Sequence, residues 1–195
     1  MGNRYRYRWL IVMLLSLGLC LGLGWRWGEP HAPALAQNAP PPALAPAMPM
    51  ISGNFQDPQG RFQIGIFDDY KVSRAGSAPL IQNPDGSLAY TIAIAPLPMG
   101  TAVASEADLV ATAQRTFGQG EGFTVGDVQA IPGGIRINWT GQLSQGAAPP
   151  QPITGKMFAR QQGGNAFLLM VAATADREAQ LTDAIVTLGS TLLVP

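Results

Sequence analysis

The segments Ile153-Thr-Gly-Lys-Met-Phe-Ala-Arg-Gln161 and Ala166-Phe-Leu-Leu-Met-Val-Ala-Ala173, with Gly163-Gly164-Asn165 between them, decide the fold. Two strand-length segments joined by glycine and asparagine read as an antiparallel hairpin, because those residues accept the left-handed backbone of a tight turn. The second segment is apolar at every position. A strand of that kind is buried on both faces and belongs at the centre of a sheet.

Working upstream, Ile135, Ile137, Trp139 and Leu143 alternate with Arg136, Asn138, Thr140 and Gln142, the pattern of a half-buried strand. Phe123 to Ile131 reads as its neighbour, joined through the turn Pro132-Gly133-Gly134. Further back, Leu88, Tyr90, Ile92 and Ile94 alternate with Ala89, Thr91, Ala93 and Ala95 after the turn signal Asn83-Pro84-Asp85-Gly86. One face of that strand is large and the other small, which suits a helix packed close on the small side. Phe62, Ile64 and Ile66 alternate with Gln63, Gly65 and Phe67, and predict another strand.

Two helices complete the pattern. Ser105-Glu106-Ala107-Asp108 opens the first, with Ser105 as cap, early acids at the positive end of the helix dipole, and Leu109, Val110, Ala113 and Phe117 as its apolar stripe. Gly118 reads as its stop. The second spans about Asp176 to Leu188, with Leu181, Ala184, Ile185 and Leu188 facing the core and Gly189 ending it. The expected fold is α+β: an α/β/α sandwich with a central antiparallel sheet, large enough at about 140 residues to bury a core.

The chain divides into three parts: 1–36, 37–52 and 53–195. Arg4, Arg6 and Arg8 precede an uncharged run from Trp9 to Gly24, and Ala34-Leu35-Ala36 is followed by Gln37. Basic head, apolar middle and A-x-A site are the three parts of a secretory signal, with cleavage expected between Ala36 and Gln37. Arg26 and Glu29 lengthen the cleavage region, so an uncleaved anchor is the alternative. Cys20 follows the bulky Leu19 and is a poor lipidation site. Residues 37–52 are rich in proline and alanine and read as an extended tether. The expected location is beyond the cytoplasmic or thylakoid membrane, in the periplasm or the lumen.

The whole chain carries 12 basic and 12 acidic side chains, one Cys and one His. The leader takes four arginines, one glutamate, the Cys and the His with it. From Gln37 onward three more acids than bases remain, with neither Cys nor His. A nucleophile–histidine pair and cysteine-ligated zinc are therefore excluded from that part. No basic excess points to nucleic acid. Asp68-Asp69 is an adjacent acidic pair at a strand end; neighbours on an extended chain point apart, so it reads as a solvated turn rather than a cation site. Gly118-Gln119-Gly120-Glu121-Gly122 follows a helix and opens a strand, the reverse of a dinucleotide loop. No catalytic residue, cofactor or metal is expected. Trp139 shares its face with Ile135 and Ile137, so core packing outweighs ligand stacking. Arg136, Lys156 and Arg160 fall on outward positions of neighbouring strands and form a candidate interaction surface, to which Asp68 and Asp69 are added.

The segment Phe55-Gln-Asp57-Pro58-Gln-Gly60-Arg61-Phe62-Gln-Ile64 resembles the opening strand of PsbP-like proteins: an aromatic, a short turn with Gly, then a Phe-containing strand. Phe67-Asp68-Asp69-Tyr70 stands where that family has a turn with Pro and Trp, with neither residue present. The element order from about Gly53 to Val194 is also similar. The resemblance implies an α/β/α sandwich, a fold also used by a Ran-binding factor and by periplasmic lipoproteins. It further implies an exported, non-enzymatic accessory protein whose partner is a membrane protein complex, photosystem II being the family's example. An envelope protein that binds a small ligand is the alternative. The histidines that hold metal in some family members have no counterpart after residue 36.

Overall fold

The computed structural model describes residues 50–100, 102–144 and 148–195. The leader, the tether up to residue 49 and the expected cleavage residues Ala34, Ala36 and Gln37 lie outside the described residues.

The elements run β1 (Ile51–Gln56), β2 (Gln63–Phe67), β3 (Lys71–Ala75), β4 (Ala78–Gln82), β5 (Leu88–Pro96), α1 (Glu106–Phe117), β6 (Thr124–Ile131), β7 (Gly134–Leu143), β8 (Gln151–Gln162), β9 (Asn165–Thr174) and α2 (Leu181–Thr191). A turn of 3-10 helix, Glu178–Gln180, leads into α2. Among the described residues, seven strands form one antiparallel sheet in the order β3-β4-β5-β9-β8-β7-β6, and β1 pairs with β2 separately. The β8–β9 hairpin runs in register from Ile153↔Thr174 to Gln162↔Asn165, with Gly163 at φ 57° in its turn. β9 lies fourth of the seven, and Ala166 to Leu169 are all buried, as an apolar run requires.

The two faces follow from the alternation along β5 and β9. Ala93, Ala95, Ala166, Leu168, Met170 and Ala172 join one core with Leu109 and Ala113 of α1. Alanines here let the helix approach the sheet closely. Ser105 caps α1 as expected: its hydroxyl accepts from the Asp108 N–H (3.1 Å), and the Asp108 carboxylate accepts from the Ser105 N–H (2.9 Å). The opposite face of the same strands, Leu88, Tyr90, Ile92, Phe167, Leu169 and Val171, packs against α2 and the β1–β2 hairpin. This is the expected α/β/α sandwich, with one outer layer assembled from a helix and a hairpin together.

Three details differ from the sequence pattern. The strands β3 and β4 form a hairpin that the pattern does not mark: every residue of β3 is exposed, and β4 buries only Pro79 and Ile81. In β2, Phe67 is buried with Ile64 while Ile66 is only half-buried, and the β1–β2 register shifts opposite these residues, between Ile51 and Gly53. Gly189 does not stop α2, which runs on to Thr191. The extra turn is fastened to the hairpin: the Gly65 N–H donates to Thr191 Oγ1 at 3.0 Å, and Gln63 and Leu193 exchange backbone hydrogen bonds at 2.9 Å. Tertiary contact outweighs the cost of one helical glycine, about 1 kcal/mol.

Tyr90 joins hairpin to sheet. Its hydroxyl donates to the Gly65 carbonyl at 2.9 Å and accepts from the Phe67 N–H at 3.4 Å. Its ring meets that of Phe67 edge-on at 5.7 Å. Burial pushes the Tyr90 phenol far above its ordinary pKa, so it stays a neutral donor.

Candidate functional site

The α2 layer is narrower than the sheet beneath it. The helix packs against β9, β8 and β2. Beyond it, the flank formed by β8, β7 and β6 faces a cleft of about 500 Å³. The cleft floor comes from neighbouring stretches of β6, β7 and β8, with Asp127, Asn138, Thr154 and Lys156 among them, and its far wall from Glu178, Leu181 and Thr182.

Register fixes which side chains share this face. Asn138 pairs with Lys156, Arg136 with Phe158, and Arg160 with Phe167. Residues two apart on a strand point the same way, so Lys156, Phe158 and Arg160 lie in a row, with Arg136 opposite the middle one. The three cations are thus brought onto one face, and each is half-buried. Lys156 Nζ donates to Asn138 Oδ1 at 3.0 Å. The ion pairs among the described residues are Arg61–Asp57, Arg177–Asp85 and Arg177–Asp176, so none of the three cations is neutralised by a carboxylate. Arg160 Nε and Thr154 Oγ1 are shielded from solvent without a hydrogen-bond partner. Buried donors of this kind cost about 1–3 kcal/mol each when unmatched, so they favour an incoming acceptor.

Trp139 sits on the other face, over Gly155, and is 4% exposed. A Cβ added at Gly155 would stand 2.2 Å from the indole ring, so only glycine fits opposite this tryptophan. Phe123 packs beside it with ring centroids 5.6 Å apart. The tryptophan props the reverse side of the strands that carry Arg136 and Lys156.

Asp68 and Asp69 do not join the cations. Both are exposed in the turn between β2 and β3; Asp69 holds φ 63° and the Asp68 N–H donates to the Met50 carbonyl at 2.7 Å. β3 is five strands from β7 in the sheet order, about 24 Å at the usual strand spacing. Among the described residues, no three His, Cys, Asp or Glu side chains gather as metal ligands would.

The sequence pattern passes over the polar ring of the cleft: Thr124, Thr140, Thr154 and Thr182, with Asn138. Each reads singly as an ordinary solvent-facing residue. Only strand register turns them into neighbours. It also passes over the pairing of Asp57, 6% exposed, with Arg61: Nε donates at 2.7 Å and Nη2 at 2.9 Å, and the backbone N–H groups of Gln59 and Arg61 donate at 3.2 Å. The Arg61 guanidinium holds the Asp57 carboxyl below the usual carboxylate range.

No family model matches the chain, and no curated protein matches it by sequence. Solved structures do. The Ran-binding protein Mog1p of Saccharomyces cerevisiae is similar over 74% of this chain and 96% of its own, at 4% identity and a TM-score of 0.50. What is shared is the fold, over most of both chains. Cyanobacterial PsbP (CyanoP) of Synechocystis, the family that the Phe55–Ile64 segment resembles, is similar over 78% of this chain and 96% of its own, at 11% identity and a TM-score of 0.49. A Bacteroides thetaiotaomicron structure is similar at 14% identity and a TM-score of 0.47; this chain spans about half its length, 49%, over 75% of itself. At these identities the likeness is one of fold alone. Among the described residues, no helix is long and apolar enough to cross a membrane.

Proposed function

We propose that this protein is an exported, non-enzymatic accessory module of PsbP-like fold that docks on an acidic surface of a membrane protein complex. The observation that carries the reading is the unneutralised row of Arg136, Lys156 and Arg160 on an uncovered flank, within a region that is otherwise net acidic. A local basic face on an acidic protein orients an encounter without making the whole molecule a polyanion binder. The leader would deliver the module beyond the membrane, and the proline-rich tether would let it reach its partner. The resemblance to PsbP-like proteins makes photosystem II the first complex to test.

The test is capture of the tagged full chain from native membranes at low and moderate salt. The wild type is expected to bring down a membrane complex in a salt-sensitive way. Arg136→Glu, Lys156→Glu and Arg160→Glu together are expected to abolish capture while the chain remains folded. Undiminished capture by the folded triple variant overturns the docking face. Unchanged oxygen evolution in a deletion strain of a photosynthetic host overturns photosystem II as the partner.

A second reading, binding of a small polar ligand, is favoured by one observation: the solvent-shielded and unpartnered Thr154 hydroxyl in a cleft of about 500 Å³. A volume of that order suits a small molecule. A specific ligand would raise the melting temperature of the chain in a thermal-shift screen.

A further inference from the structure

The other flank of the sheet opens in a different way. β5 pairs with β9 along its whole length, from Leu88 to Pro96, but with β4 only from Ala89 to Thr91. The β4 residue next in line after Leu80 is Pro79, which has no N–H to give to a ladder. There the two strands part. β4 stays paired with β3 through Arg74↔Pro79 and Ala75↔Ala78, so the β3–β4 hairpin leaves the sheet as a unit. Burial along β5 falls at the same point: Tyr90, Thr91 and Ile92 are buried, Ala93, Ile94 and Ala95 are half-buried, and Pro96 is exposed.

A cleft of about 620 Å³ occupies the gap. Its lining includes Ile92 and Ile94 from one face of β5 and Ala93 from the other. These are the positions next after Thr91, where β5 has lost β4 as its neighbour, so the cleft borders the free edge of the strand. The feature on offer is therefore strand backbone with no partner on one side, and the ligand that matches it is another extended peptide.

The walls state what that peptide carries. Phe55, Phe62 and Pro79 line the cleft with apolar surface, and Val72 on β3 is 44% exposed beside them. Arg61 and Arg74 line it as well. The lining carboxylate, Asp57, is already committed to Arg61, while Arg74 has no ion pair among the described residues. The site thus holds an uncompensated guanidinium at an apolar, strand-shaped opening.

We propose that the gap between β4 and β5 is a slot for an extended acidic peptide segment, which adds as a strand along the unpaired edge of β5 from Ile92 onward and sets a carboxylate on Arg74. The slot is separate from the basic row on β7 and β8, which lies on the opposite flank of the sheet. It would allow one chain to hold a partner's strand here while its other flank meets a different surface.

The experiment uses the full chain in mild detergent and a fluorescein-labelled octapeptide of alternating valine and glutamate, read by anisotropy and by amide exchange. The peptide is expected to bind and to slow exchange in Leu88–Leu97. The same octapeptide with lysine for glutamate, and one with N-methyl groups on alternate amides of either edge, serve as controls. Lysine is expected to abolish binding, and one of the two N-methyl patterns is expected to do the same. Arg74→Glu is expected to weaken the glutamate peptide at least tenfold and to admit the lysine peptide. The triple variant at Arg136, Lys156 and Arg160 is expected to leave this binding unchanged. Binding lost in the triple variant but kept in Arg74→Glu overturns the slot, as does any peptide binding without slowed exchange in Leu88–Leu97. Absence of binding by the glutamate peptide also overturns it, whatever becomes of the docking face.

Discussion

The two sides of the central sheet are closed by different means. On one side a single capped helix, α1, lies over alanines and beside Trp139, whose ring fills the space that Gly155 leaves. On the other side the strands offer large residues, and a patchwork of α2, the β1–β2 hairpin and the C-terminal residues Leu192 and Val194 covers them. A patchwork of short pieces covers the middle of a sheet and stops short at its flanks. Both clefts open at these margins, the one by β6, β7 and β8 that Lys156 of the basic row lines, and the slot by β4 and β5.

The contrast breaks most severely at Trp139. Trp139→Ala should destabilise the chain by about 3–5 kcal/mol in urea unfolding, as large core truncations do. Gly155→Ala should also destabilise, by about 2 kcal/mol through overpacking, and the penalty should largely vanish in the Trp139→Ala background. Equal penalties in both backgrounds would contradict the close fit at 2.2 Å.

Tyr90→Phe probes the patchwork side. It leaves the Gly65 carbonyl and the Phe67 N–H without their buried partner, for a loss of about 1–2 kcal/mol. Amide exchange should quicken first in β1 and β2, where this hydroxyl fastens hairpin to sheet.

The Asp57–Arg61 pair at the tip of that hairpin gives a pH signature. The carboxyl is held below its ordinary pKa by Arg61, so its contribution is present above about pH 4 and is lost as the pH falls through the lowered value. Asp57→Asn should therefore lower the melting temperature by about 3 °C at pH 7. The gap between variant and wild type should close as both are taken below pH 3. A gap that stays constant with pH would remove the ion pair from the account.

The smallest stability effect belongs to the open flank. Arg136→Ala should change stability by less than about 0.5 kcal/mol, since the guanidinium has no ion-pair partner to lose. The same variant should weaken membrane capture at moderate salt. A stability loss several times larger would make Arg136 part of the framework instead of a contact.

Much of the architecture was legible in the residues themselves. The β8–β9 hairpin, the alternation of β7, the large and small faces of β5 and the Ser105 cap all depend on chemistry within a few residues. The second helix was legible in its apolar stripe but not in its end, since Gly189 continues the helix only because Thr191 and Leu193 find partners on β2. β3 was illegible because an exposed edge strand has no buried face to impose alternation, and β4 because its short run holds Ala78 and Pro79, which carry no strand signal. The outward positions of Arg136, Lys156 and Arg160 could be read from alternation, whereas their separation from Asp68 and Asp69 could not.

The sequence alone determined the periods, turns, caps and core faces, because backbone preference and the burial of apolar stripes act locally. The tertiary structure alone decided which strands are neighbours, where the patchwork layer stops and where β4 parts from β5. Those depend on pairing between residues far apart in the chain: Arg136 meets Phe158, and Ala93 loses the neighbour that Thr91 keeps, only when the sheet order is set.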